Sequence, residues 1–142
     1  MKYSFSITFL ALLLLINCNS TSSAKQDKTL TPNQSEPDGT YLVTKLYGED
    51  VSEHKLTIVF DSEKKTISGF SGCNTYSCGY TIEKENISFG LPMYSKMYCA
   101  KTDQLEKDFF KALSETQLKN TNKSLLKLSN NTTEAIVAKK EQ

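Results

Sequence analysis

Residues 66–82 read TISGFSGCNTYSCGYTI, and the fold turns on how this stretch is understood. Thr66–Phe70 opens as an extended segment, Gly69 and Gly72 interrupt it, and Ser77–Ile82 resumes the pattern. Glycines inside a strand pattern mark a bulge, a bend or a close backbone approach, so the stretch predicts a sharply bent sheet. Immediately upstream, Lys55–Asp61 (KLTIVFD) places Leu56, Ile58 and Phe60 on one side against Thr57 and Val59, a period of two. Ser62–Lys65 is a polar hairpin connection between the two segments. Further upstream, Asp38-Gly39 is a turn signal before the β-branched and aromatic strand Thr40–Tyr47. Downstream, Ser77–Ile82 and Asn86–Phe89 form a hairpin turning at Glu83–Glu85.

One segment changes period. Leu105, Phe109, Ala112 and Leu113 fall at i, i+4, i+7 and i+8, one face of a helix expected over Thr102–Glu115. Thr102 or Asp103 is the expected N-cap, and Asp103 with Glu106 has capping-box spacing. Two more strands follow, around Ser124–Ser129 and Ala135–Lys139, with polar turns at Asn120–Lys123 and Asn130-Asn131. Strands, one helix and then a hairpin give no βαβ alternation, so a parallel sheet is not expected. The expected fold class is α+β: a mainly antiparallel, strongly bent sheet or partly open barrel with one packed helix, which also covers exposed strand edges.

The first 38 residues read differently. Lys2 precedes an apolar run, Ile7–Ile16, interrupted by Thr8. Ten residues are too few to span a bilayer, which needs about 20, but they suit the apolar core of a secretory signal. Leu15-Ile16-Asn17-Cys18 has the form of a bacterial lipobox, with Asn17 where a smaller residue is usual. The expectation is a signal peptide over 1–17, lipidation of Cys18 as the mature N-terminus, and cleavage near Ala24 as the alternative. Two or more acyl chains anchor stably, whereas one does so only marginally. Residues 18–38 are polar with one isolated leucine, too little apolar area to repay ordering, and are expected to form a disordered tether of about 25 Å root-mean-square reach. The folded unit is then 39–142, long enough for one modest core. The expected location is the cell envelope, lipid-anchored at the outer membrane, with the membrane as a partner through that N-terminal lipid.

Composition narrows the function. The 142 residues carry 17 basic and 16 acidic groups, all the basic ones being lysine. Without arginine there are no bidentate forks for base edges or phosphates, so nucleic acid is not an expected partner. No cofactor is expected. His54 is the single histidine, and beside Glu53 and Lys55 it reads as a solvated loop residue. Structural zinc prefers four N or S ligands at regular spacing, and three cysteines with His54 do not supply that, so no metal site is assigned. Glu49, Asp50 and Glu53, and the pair Glu83 and Glu85, read as polar turn residues; carboxylates do acid–base work only in a cleft that shifts their pKa values. No residue is assigned a catalytic role. Tyr94, Met97 and Tyr98, with Met93, form an amphipathic patch that suits an apolar ligand, although core packing is the ordinary fate of such residues.

Besides Cys18 there are Cys73, Cys78 and Cys99. Export implies an oxidising compartment, so a disulfide is the default and one thiol is left over. Loop entropy favours 73–99, at ~3.5 kcal/mol, over the short 73–78 loop. Cys73 and Cys78 would face opposite sides of a regular strand, but a bend between them removes that objection, so both pairings stay open.

The ordered set Gly69, Gly72-Cys73-Asn74, Tyr76 and Tyr80, then Phe89-Gly90, then Ser95-Lys96-Met97-Tyr98-Cys99, then Glu106, Phe109, Ala112 and Leu113 resembles the META/HslJ-like domain. Gly39-Thr40-Tyr41 through Tyr47-Gly48 looks like its opening strand, so the resemblance covers nearly all of 39–142. It implies a small β-rich domain with one helix, often carried by envelope lipoproteins, and pairs Cys73 with Cys99. It implies no agreed catalytic residues, an association with heat shock and antibiotic tolerance in some members, and a fold similar to cracked-barrel pilotins that bind lipoproteins. The expected function is therefore a non-catalytic, lipid-anchored envelope protein that binds or stabilises envelope components, with an envelope protein as partner. The alternative is a carrier of a lipid or other apolar ligand within a partly open barrel.

Overall fold

The computed structural model describes residues 35–122 and 124–142, so the expected signal peptide, Cys18 and most of the expected tether lie outside the described residues. Ten strands and one α-helix follow in the order β1 (Gly39–Leu46), β2 (Glu49–Asp50), β3 (Thr57–Asp61), β4 (Thr66–Phe70), β5 (Thr75–Glu83), β6 (Asn86–Phe89), β7 (Met93–Tyr94), α1 (Asp103–Glu115), β8 (Leu118–Thr121), β9 (Leu125–Ser129) and β10 (Glu134–Lys140). Eight of them, β1-β3-β4-β5-β6-β8-β9-β10, form an antiparallel sheet that closes on itself when β10 pairs with β1. Closure removes the free edges that an open sheet would expose. The expected α+β fold, a bent antiparallel sheet with one packed helix, is what forms, and the barrel expected to be partly open is closed by the β10–β1 pairing. Its narrowest seam is β6–β8, where Asn86 faces Leu118, Ile87 donates to Gln117 and Lys119 donates to Glu85.

Alternation fills the inside of the barrel. Leu56, Ile58 and Phe60 are buried while Thr57, Val59 and Asp61 are only half-buried, as the period of two requires. Leu126 and Leu128 are the inward pair on β9, opposite Ala138 and Ile136 of β10. Phe60 makes edge contacts with Tyr41 and Tyr80, centroids 5.8 and 5.3 Å apart. An eight-stranded barrel is just wide enough to be packed by its own side chains or to hold one small ligand. Here side chains pack it.

The glycines of the opening stretch act by close approach. A Cβ on Gly69 would lie 2.1 Å from the Thr57 carbonyl oxygen, so β3 and β4 could not meet there with any other residue. The same carbonyl accepts the Tyr76 hydroxyl at 3.0 Å. Gly72, with φ of +100°, turns the chain back beneath Leu56 and Leu105.

α1 packs across β1, β6 and β10, burying Phe109, Ala112 and Leu113. Phe109 meets Tyr76 edge-on at 5.4 Å. The C-terminal end of the helix is held by Tyr47, whose hydroxyl donates to Glu115 at 3.0 Å. Burial, then that bond, pushes the Tyr47 hydroxyl up to about 12.

Three expectations need correction. The capping box is not formed: Thr102 precedes the helix without a side-chain cap bond, and Glu106 turns inward to other partners. The polar pattern predicts a turn from Asn120, yet β8 occupies Leu118–Thr121, because β9 needs a partner on that side. Polarity also predicts a folded unit that starts at residue 39, yet Glu36 and Pro37 already pack on the barrel. Pro37 is buried, and the Glu36 carboxylate accepts from the Tyr80 hydroxyl at 2.9 Å and pairs with Lys65.

Candidate functional site

The Gly-Cys-Asn turn between β4 and β5 is the centre of the site. Its backbone is closed by Ser71 N donating to Asn74 O at 2.8 Å. Asn74 is buried, and its side chain uses both ends. Oδ1 accepts from Met97 N and from Ser95 Oγ, each at 2.8 Å. Nδ2 donates to Met97 O at 3.2 Å and to Glu106 Oε2 at 2.8 Å. Glu106 reaches in from α1 and also accepts from Asn74 N at 3.1 Å, with Ser71 Oγ against the same oxygen. A buried amide with its hydrogen-bonding capacity met rigidifies what it touches. Here it ties three pieces of chain together: the β4–β5 turn, the Ser95–Met97 segment and the helix.

The staple lies beside it. Cys73 pairs with Cys99, with Cα atoms 5.8 Å apart, so the pairing implied by the resemblance is the one present. Cys99 leads into α1 by accepting the backbone N–H groups of Thr102 and Asp103, both at 2.9 Å. Residues 91–99 are thus fixed near their middle by Asn74 and at their end by the disulfide.

Along this segment the apolar side chains turn outward. Leu91 is 95% exposed, Met93 76%, Tyr98 82%, Met97 60% and Tyr94 49%. Core packing, the ordinary fate expected for Tyr94, Met97 and Tyr98, is therefore wrong: β7 lies outside the barrel, pairing with β5 only at Tyr76 and Ser77. Tyr94 stacks on Phe110 at 5.0 Å and 28°. Tyr94, Met97 and Tyr98 come together with Phe110, Lys96 and Lys107 around an open groove of about 260 Å³ that Asp103 and Glu106 also line. Sequence reasoning misses Phe110 and Leu91. Phe110 follows Phe109 at the margin of the helical face, and that adjacency is the signal that could have found it.

The other candidate groups separate. His54 sits partly exposed in a 3-10 turn, Ser52–His54, with its Nε2 3.5 Å from Glu53. Asp50 caps the same turn by accepting Ser52 N at 2.9 Å, and that bond holds its carboxyl below the ordinary range. Among the described residues, no group of three or more His, Cys, Asp or Glu side chains could hold a metal ion. Cys78 is a free, buried thiol on β5, and burial pushes it up to about 11, away from nucleophilic thiolate character. Among the described residues, no helix is long and apolar enough to cross a membrane. Tyr41, Ile58, Ile67, Ile87, Leu126 and Leu128 occupy the barrel interior, which counts against an acyl chain carried inside it.

The fold and site together define a class: a closed antiparallel barrel with one helix pinned to a Gly-Cys-Asn turn by hydrogen bonds and a disulfide. The profile of the META domain matches residues 29–142, and the chain belongs to the META domain family. Solved structures share the fold. A protein from Burkholderia xenovorans superposes with a TM-score of 0.62 at 19% identity, over 74% of this chain and 83% of that one. A protein of a domain-of-unknown-function family from Bacteroides vulgatus superposes with a TM-score of 0.57 at 13% identity, over 74% of this chain and 93% of that one. No curated protein matches the sequence.

Proposed function

We propose that this chain is a lipid-anchored cell-envelope protein whose META domain works by binding, not by catalysis. The observation that carries the reading is the 91–98 segment: five large apolar side chains held out in water on a segment that Asn74 and the disulfide keep rigid. Contiguous apolar surface left open to water marks an interaction site. The disulfide suits an exported protein, and the lipobox at Leu15–Cys18 supplies the anchor. A stress-related role would follow from stabilising envelope components under load.

The anchor is tested by intact mass spectrometry of the protein extracted from membranes. The expected result is an N-terminus at Cys18 carrying fatty acyl mass, lost together with palmitate labelling in Cys18→Ala. An unprocessed chain that starts at Met1 and fractionates with the cytosol would overturn the reading.

A further inference from the structure

We propose that the 91–98 segment seats the domain on an anionic lipid surface, so that the barrel lies against the bilayer that anchors it instead of hanging free. The inference rests on the lipid-anchored reading above and names the partner of the same segment.

Charge favours lipid over a protein of mixed surface. From Gly90 to Thr102 the chain has no acidic residue, while Lys96 and Lys101 are both exposed. The nearest acids are already engaged: Asp103 with Lys107 at 2.7 Å, and Glu106 with Asn74 inside the turn. The 90–102 segment itself therefore sets only positive charge beside its apolar and aromatic groups, while Asp103 and Glu106, engaged as above, line the adjoining groove. Apolar side chains beside tyrosines and lysines match the layered chemistry of a membrane interface, where tyrosine rings sit at headgroup level and lysines meet anionic lipid.

Chain length permits it. Seventeen residues separate Cys18 from Glu36, so the connection reaches at most ~60 Å. Glu36 is bonded to Tyr80 on β5, four residues from Tyr76, the partner of Tyr94. At ~3.3 Å per residue, Tyr80 and Tyr76 lie about 13 Å apart along that strand, well inside this reach. An anchored Cys18 would keep the segment within reach of the bilayer at high effective concentration. Rigidity matters as well, because a segment already fixed by Asn74 and the disulfide loses little conformational entropy on docking.

The chain has no tryptophan, so one substitution makes a unique reporter. Tyr98→Trp and, at a polar turn elsewhere on the domain, Asn131→Trp are each purified from membranes as the full processed chain. Both are reconstituted in phosphatidylcholine vesicles with or without 30% phosphatidylglycerol (a composition chosen on the order of biological anionic content), using acyl chains with or without bromine. For Tyr98→Trp the expected result is a blue-shifted indole emission quenched at least about twofold by brominated lipid, as a ring sunk to the acyl boundary requires. The Asn131→Trp emission should be unaffected. Removing phosphatidylglycerol, or adding Lys96→Glu with Lys101→Glu, should relieve the quenching. An indole that stays open to aqueous quenchers in Tyr98→Trp on anionic vesicles would overturn the proposal. So would a blue shift that follows protein concentration without lipid, which would assign the segment to a second copy of the chain. If mass spectrometry finds Cys18 unacylated, the anchored reading fails by itself, and the same vesicles added to the soluble chain still test the segment.

Discussion

At the scale of single residues, Asn74 is the point where separate parts of the chain are made to agree. It donates to Met97 O and Glu106 and accepts from Met97 N and Ser95, so truncation leaves several partly buried partners unpaired at once. Asn74→Ala should cost about 2–3 kcal/mol in urea unfolding, since orphaned buried groups cost more than the mean bond is worth. The cycle with Glu106→Gln should show a coupling of roughly 1 kcal/mol or more, as contacting residues in one network do. Additive losses would mean that the two side chains act separately. Cys78 belongs at the same scale. Its thiol is buried and pushed up to about 11, so at pH 8 a thiol reagent should leave it unmodified in the native protein and modify it in urea, as peptide mapping would read.

Among the elements, α1 carries the clearest energetic role. Phe109 is fully buried from the helix and meets Tyr76, whereas Phe110 lies at the groove and is half-buried. Phe109→Ala should therefore cost about 3–5 kcal/mol, a large share of the 5–15 typical of one domain. Phe110→Ala should cost clearly less, and thermal unfolding of the two variants reads the difference. The same helix shows where sequence is enough and where it is not. Its buried face is legible because Leu105, Phe109, Ala112 and Leu113 repeat with helical period, a purely local property. The long strands are legible for the same reason. β8 is not, because Leu-Lys-Asn-Thr has weak strand propensity and becomes a strand only where β6 and β9 offer pairing. Glu106 suggests a capping box, and its true partner, Asn74, is 32 positions away. The outward face of Tyr94, Met97 and Tyr98 is hidden likewise: apolar composition does not say which side of a chain is buried, and the constraint that turns this segment out is the pair of remote attachments to Asn74 and Cys73.

For the molecule as a whole, the decisive contact is where the N-terminal chain joins the barrel. Glu36 is bonded to Lys65 and Tyr80 and lies near Lys119, a buried lysine on β8 whose ammonium is pushed down by desolvation. These groups tie residue 36 to the barrel. The Lys65 bond is the first cause holding the Glu36 carboxyl below its usual value, against a smaller opposing effect of burial. The folded state thus prefers the ionised form. The stabilisation is fully present above the unfolded pKa near 4.5 and is lost as pH falls through the lower folded value. Glu36→Gln should lower stability at pH 7 by no more than about 1 kcal/mol, because the pair is partly exposed and screened by solvent. The gap from the unsubstituted protein should close as pH drops below 4, and raising salt at pH 7 should narrow it too. Urea midpoints at several pH values measure this directly. A gap that stayed constant from pH 7 to pH 3 would show that the contribution of Glu36 does not come from its ionised form. Its hold on the barrel would then persist in acid.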